Sequence, residues 1–145
     1  MILRRACADD AAAIAVLLRT TFRISLPFLP ELYTAEQDLG FIRAKVLVEN
    51  TVWVAEAKGE VAGFIAYRDG WIDHLYVHPD FQGQGIGPLL LEKALEDRKP
   101  RRLWTFQQNA RARRFYEARG FQPIQFTDGA DNEEKTPDVL YLWNS

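Results

Sequence analysis

The residues with the most specific spacing in the chain are Gln82-Gly83-Gln84-Gly85-Ile86-Gly87, which follow an apolar stretch and precede a helical pattern. Where a glycine-rich turn opens a helix, free backbone N–H groups and the helix dipole together hold an anion, and side chains at the glycine positions would obstruct a phosphate. On local grounds alone such a turn also serves as a plain tight connection. The spacing excludes two familiar phosphate binders. A dinucleotide-binding G-x-G-x-x-G needs glycine where Pro88 stands, and a P-loop needs a Gly-Lys-Ser/Thr ending that is absent. Other chemistries are disfavoured too. His74 and His78 are four extended residues apart, roughly 13 Å, too far to share a metal easily, and one cysteine with no third histidine makes zinc improbable. Ser25 and Ser145 lack a nucleophile-elbow context, and Cys7 lacks an activating motif and reads as a small buried residue.

The elements around these residues follow from periodicity. Ile2 to Arg5 reads as a strand, and Asp9 or Asp10 caps an amphipathic helix with Ile14, Leu17, Leu18 and Phe22 on one face, ending near Arg23. Two prolines make Leu26 to Pro30 a hydrophobic loop. Thr34-Ala35-Glu36-Gln37 is a capping box, with Leu39, Ile42 and Val46 at helical spacing behind it. Thr51 to Ala57, Val61 to Arg68 and Trp71 to Val77 form an antiparallel meander with turns at Lys58-Gly59-Glu60 and Asp69-Gly70. A helix runs from Gly85 to about Arg98, with Pro88 tolerated in its first turn. Leu103 to Phe106 is a strand; Asn109, a preferred capping residue, starts a helix that stops at Gly120. Phe121 to Phe126 and Val139 to Trp143 close the chain around a polar loop, Thr127 to Pro137. The order β-α-α-β-β-β-α-β-α-β-β predicts an α/β fold with a mixed, mostly antiparallel sheet of about six to seven strands flanked by helices.

Composition is consistent with one soluble domain spanning residues 1–145, without repeats or a dividing linker. The 145 residues are 48% hydrophobic, and a chain of this size buries roughly 68–70% of its unfolded surface, enough to hold a core without disulfides. Eighteen Lys and Arg against 20 Asp and Glu give a net charge of −2, which argues against nucleic acid as a partner. The longest early apolar run, Ala11 to Leu18, is too short for a bilayer, which takes about 20 residues, and Asp9 and Asp10 spoil a signal peptide. The expected location is the cytoplasm, away from the membrane, consistent with the lone thiol.

Two stretches then carry a family resemblance. Val77-His78-Pro79-Asp80-Phe81 leading into the glycine turn resembles the acetyl-CoA motif of the GNAT superfamily of N-acetyltransferases, Gln/Arg-x-x-Gly-x-Gly/Ala after a hydrophobic strand. Asn109 to Phe121, with Phe115-Tyr116 near the helix end and Gly120-Phe121 after it, resembles that superfamily's second motif. The resemblance covers nearly the whole chain in the right element order.

It implies acetyl-CoA as cosubstrate, an amine acceptor, no metal, and a homodimer as the family's habit. Backbone amides of Gln82, Gly83, Gln84, Gly85, Ile86 and Gly87 would bind the pyrophosphate, and Leu75, Tyr76 and Val77 the pantetheine arm along a splayed strand, with the Val77 amide polarising the thioester carbonyl. Asn109 would also contact the arm, and Tyr116 would protonate the departing thiolate as general acid, while Phe115 packs in the core. Some members place a glutamate base where Trp71 stands, so the base is expected at Asp73 first, then Glu56 and His74. Arg111, Arg113, Arg114 and Arg119 form a basic helix face, and Asp128, Asp131, Glu133, Glu134 and Asp138 an acidic loop. The loop from Leu26 to Pro30, with Tyr33, falls where the family builds its acceptor site. The alternative to an enzyme is a noncatalytic acyl-CoA sensor or interaction module.

Overall fold

The computed structural model describes all residues, 1–145. Its backbone forms two compact units: Met1–Arg68 with Ile72–Glu96, and Asp69–Trp71 with Asp97–Ser145. Strands hydrogen-bond in the order β1 (Ile2–Arg5), β2 (Thr51–Ala57), β3 (Glu60–Arg68), β4 (Trp71–Val77), β5 (Arg101–Phe106), β7 (Asp138–Trp143) and β6 (Gln122–Phe126).

In the first unit, β1 (Ile2–Arg5), β2 (Thr51–Ala57) and β3 (Glu60–Arg68) pair antiparallel, and β4 (Trp71–Val77) follows β3 through a two-residue turn. Residues 62–66 of β3 are buried without interruption. That pattern belongs to a strand covered on both faces. One cover is α1 (Ala11–Ser25), whose Ile14, Leu17 and Leu18 join Ile42, Val46, Val52, Val54 and Phe64 in a hydrophobic core cluster. The other is α4 (Ile86–Ala94), which buries Ile86, Leu90, Leu91 and Ala94.

The expected capping box at Thr34 is present: its hydroxyl accepts from the Gln37 amide at 3.2 Å, and the Gln37 side chain accepts from the Thr34 amide at 2.9 Å. It opens α2 (Ala35–Phe41), which runs into a π-helical stretch, Ile42–Val46, and a last turn, α3 (Leu47–Glu49). The π stretch was not foreseen, because one extra residue in a turn leaves the apolar spacing nearly unchanged. Asp10 departs from its expected role. Its carboxylate accepts from the Cys7 amide at 2.8 Å and from Arg4 at 2.7 and 2.9 Å, instead of capping α1. Cys7, expected inside, is exposed.

In the second unit, β5 (Arg101–Phe106), β7 (Asp138–Trp143) and β6 (Gln122–Phe126) form an antiparallel ladder, with a single parallel pair, Trp71 with Arg102. The ladder buries one face: Leu103, Val139, Tyr141 and Trp143 alternate with more exposed residues. Helix α5 (Ala110–Glu117) contributes Tyr116 to an aromatic cluster with Phe121 and Tyr141, at centroid separations of 5.3 and 6.3 Å. Phe115, expected in the core, is only half-buried, with the Arg119 guanidinium 4.0 Å over its ring. All five residues of β6 are exposed. The loop after it folds on itself, its two ends tied by Gln107 Nε2, which donates to the carbonyls of Thr127 and Asp138 at 2.8 and 3.0 Å.

Candidate active site

Within the first unit, β4 delivers the chain to the glycine turn through a short 3-10 helix, Pro79–Phe81, capped by His78 Nδ1, which accepts from the Asp80 amide at 3.0 Å. Gly83 and Gly85 both take left-handed φ, 78° and 84°, and Gly85 is the N-cap of α4. A side chain at either position would meet open space, so backbone conformation, not crowding, requires glycine there. The Gln82 amide is committed to the Pro79 carbonyl at 3.4 Å. The amides of Gly83, Gln84, Gly85, Ile86 and Gly87 donate to no protein acceptor, and Pro88 has no N–H to offer. This leaves five adjacent donors at the positive end of a helix dipole.

Leu75, Tyr76 and Val77 form the last residues of β4. Their placement depends on Gly63 in the adjoining strand. A Cβ there would stand 3.0 Å from the Tyr76 carbonyl oxygen, 3.1 Å from Ile86 and 3.2 Å from Leu90, so the missing side chain lets β4 and α4 close on β3. Glycine inside a strand is the sequence signal that could have found this. Gln82 bridges the turn to the strand, its Nε2 donating to the Val77 carbonyl at 3.1 Å. No spacing rule announced that bond.

The proton-transfer candidates of this unit are held separately. Asp73 gives both carboxylate oxygens to Arg68, at 2.7 and 3.2 Å, and this bond holds the Arg68 pKa above its usual value. Glu56 accepts from Arg4 Nε through Oε1 at 2.8 Å. Arg4 also binds Asp10, whose pKa is pulled down to about 2, chiefly by that hydrogen bond.

His74 is the third candidate. Its ring lies among Phe41, Phe64 and Tyr76, at centroid separations of 5.7, 6.2 and 6.1 Å, and its Nδ1 is shielded from water without a hydrogen-bond partner. Burial lowers its pKa from 6.5 to about 4; Asp73 opposes the shift and Lys45 adds to it. In the unfolded chain the ring protonates first, so the stability from keeping it neutral is complete above pH 6.5 and declines as pH falls toward 4. The expected loss is on the order of 2–3 kcal/mol, the lower end favoured because the residue is only partly buried. Asp10 contributes its own loss only below about pH 3.8. Urea midpoints at pH 7 and pH 4.5 should therefore differ markedly in the wild type and little in His74→Phe; parallel curves for the two proteins would refute the assignment.

In the second unit, Asn109 is the N-cap of α5, its Oδ1 accepting from the Ala112 amide at 3.1 Å. Two turns later Tyr116 is 8% exposed, its ring edge-on to Phe115 and Phe121. The end of α5 is tied down by Tyr141, whose hydroxyl donates to Glu117 at 2.5 Å and accepts from Arg113 Nε at 3.1 Å. Arg113 is thereby committed inside its own unit, whereas Arg111 and Arg114 are exposed. The acidic loop is also structured: Asn132 Nδ2 donates to the Thr136 carbonyl at 2.7 Å and to Asp138 at 3.1 Å. Burial raises the Glu134 pKa.

Residues 48–123, just over half of the chain, match the family model described as an acetyltransferase (GNAT) domain. The chain belongs to the GNAT family of acetyltransferases. It is 44% identical over 81 residues to an uncharacterized N-acetyltransferase of Archaeoglobus fulgidus, a match covering 45% of this chain and 55% of that protein, so it aligns with about half of that relative. It is 31% identical over 121 residues to the peptidyl-lysine N-acetyltransferase YjaB of Salmonella typhimurium, covering 83% of this chain and 82% of YjaB. Its fold is that of YncA from Salmonella typhimurium, solved with its cofactor acetyl-CoA, with a TM-score of 0.76 at 21% identity over 99% of this chain and 92% of the other. The open, mixed seven-stranded sheet flanked by helices is thus the GNAT fold. No helix is long and apolar enough to cross a membrane.

Proposed function

We propose that the chain, residues 1–145 as one catalytic domain, transfers acetyl from acetyl-CoA to a primary amine by direct attack. The observation that carries this reading is the run of five uncommitted amides, Gly83 to Gly87, in the turn that joins the 3-10 helix after β4 to α4. Those amides suit the CoA pyrophosphate, and the end of β4, Leu75 to Val77, suits the pantetheine arm. Asn109, whose Oδ1 caps α5, is read as a further cofactor-binding residue through its Nδ2.

In the reaction the amine, having lost its ammonium proton, attacks the thioester carbon; the C–S bond breaks and the acetyl group passes to nitrogen. Tyr116 gives the sulfur its proton and is restored by the one the new amide sheds, leaving CoA thiol, an N-acetyl product and one released proton. Asp73 and Glu56 are the carboxylates read as proton acceptors. Asp73 must first loosen from Arg68, whereas Glu56 keeps Oε2 outside its bond to Arg4. YjaB is named for peptidyl-lysine, so lysine side chains of peptides are the first acceptors to test. Cytoplasmic location and a homodimer belong to the same reading.

Calorimetry should give saturable, roughly one-to-one binding of acetyl-CoA, and free-thiol release should depend on an amine acceptor. Absence of acyl-CoA binding would reject the reading. Binding without acceptor-dependent thiol across peptides, amino acids and small amines would favour the sensor, a role consistent with Asp73 being fully engaged by Arg68.

A further inference from the structure

The two ring nitrogens of His74 have different surroundings. Nδ1 is sealed from water and meets no hydrogen-bonding group, whereas Nε2 is neither sealed nor bonded within the protein, and the residue keeps partial exposure. The ring stands in an aromatic box. Phe64 of β3 is its buried floor, Tyr76 lies beside it on β4, and Phe41 of α2 is set at 81° to the imidazole and exposed at 38%, so that this wall reaches the surface. The box therefore turns one imidazole nitrogen outward and shuts the other in.

A neutral imidazole carries one proton, so one nitrogen donates and the other accepts. A proton on Nδ1 would bury an N–H without an acceptor, and orphaned N–H groups are the rarer kind of buried polar group. A proton on Nε2 leaves the sealed atom a bare lone pair and turns a donor toward solvent. A second proton would have to enter at Nδ1, where nothing receives it, which accords with a ring pKa lowered to about 4.

We infer that His74 holds its proton on Nε2 and donates that N–H to a neutral carbonyl oxygen of the amine acceptor, a specificity contact and not a proton transfer. The inference rests on the acetyltransferase reading and deepens it by naming what the acceptor carries besides its amine. The reachable nitrogen then has no lone pair, which removes His74 from the proton acceptors that residue type and strand position suggested. The ring also selects the ligand atom. A carboxylate at Nε2 would draw a second proton onto the imidazole and strand it at Nδ1, whereas a carbonyl accepts without doing so. The charged groups acting on the ring, Asp73 and Lys45, are of opposite sign and favour neither an anion nor a cation. His74 precedes Val77 by three residues of β4, at most roughly 11 Å, and that reading puts the thioester at Val77. The extended four-carbon stem of a lysine and one hydrogen bond cover such a distance, so a main-chain carbonyl of the acceptor lysine fits.

Two acceptors with the same alkylamine test this: Nα-acetyl-lysine N-methylamide carries amide carbonyls and n-pentylamine carries none. His74→Phe fills the box without a donor, and His74→Gln restores an N–H. His74→Phe should lower kcat/KM for the lysine amide about 3- to 10-fold, the worth of one neutral hydrogen bond, and leave n-pentylamine within about 2-fold. His74→Gln should return the lysine amide to within about 3-fold of wild type. In the wild type labelled with 15N-histidine, Nε2 should resonate as the protonated nitrogen at pH 7 and Nδ1 as the bare one, and Nε2 should shift when the lysine amide is added. A proton on Nδ1 would overturn the inference. So would an unchanged kcat/KM for the lysine amide in His74→Phe, or an equal fall for both amines, which would assign the residue to proton transfer or to the fold. A wild type that acetylates neither amine while keeping its proton on Nε2 would overturn the acetyltransferase reading, and the acceptor contact with it.

Discussion

Tyr116→Phe should lower kcat by about 10²- to 10⁴-fold while leaving acetyl-CoA affinity within about 3-fold, the range spanned by a positioned general acid. Phenylalanine preserves the ring, so the edge-on contacts with Phe115 and Phe121 and the packing toward Tyr141 survive. Only the hydroxyl is lost. With no group to protonate the sulfur, the departing thiolate must leave as an anion, and turnover should then depend on the acidity of the thiol carried by the acyl donor. A series of acetyl thioesters with leaving thiols of increasing acidity tests this. Tyr116→Phe should recover on the more acidic thiols, while the wild type responds weakly. Equal kcat for wild type and variant, under conditions where the chemical step limits the rate, would remove Tyr116 from the reaction.

Gly129→Ala should be the most damaging small substitution in the second unit. Gly129 is buried at φ 83°, and an added Cβ would fall within the backbone of Thr136. The left-handed conformation alone costs alanine roughly 1–2 kcal/mol, and relieving the overlap adds about 1–3 kcal/mol, giving an expected loss of about 2–5 kcal/mol. The loop closes through a web around that point. The Gly129 amide donates to Thr127 Oγ1 at 3.1 Å, Thr127 Oγ1 bonds Asp138, and Asn132 holds Thr136. Chemical denaturation should show the loss. Ala130→Gly, one residue along and exposed, should cost well under 1 kcal/mol and serves as the control.

These two residues also illustrate what the amino-acid order discloses. Tyr116 was singled out because a short motif repeats a local arrangement, and of that arrangement the Asn109 cap is present and the Tyr116 ring packs edge-on to Phe115. The capping box at Thr34 and the Asn109 cap were legible for the same reason, since side chain and backbone partner lie three residues apart. Gly129 was not singled out, because what it avoids is a backbone segment seven residues away that arrives only when the loop folds. Gln82 divides between the two cases. Its position in the glycine turn was read from spacing, but the bond from its side chain back to Val77 depends on the angle at which the 3-10 helix leaves β4. The proton acceptors show the limit most clearly. Asp73 and Glu56 were chosen by residue type and strand position, and the arginines that engage them, Arg68 and Arg4, are five and 52 residues distant. Charge pairing at such separations leaves no periodic trace.

The last strand of the ladder, β6, has a consequence for how the molecule meets its neighbours. It ends the hydrogen-bonded order, is exposed along its whole length, and carries Ile124 and Phe126 at 49% and 54% exposure, a composition that invites another chain to add a strand. Pro123 lacks an amide hydrogen, and the register with β7 slips between Pro123 and Gln125. A docking strand would thus meet a missing donor and a kink within the same two residues, and could not extend a continuous row of bonds. The irregularity keeps an apolar rim from becoming a template, so crowded copies of the chain are discouraged from polymerising edge to edge.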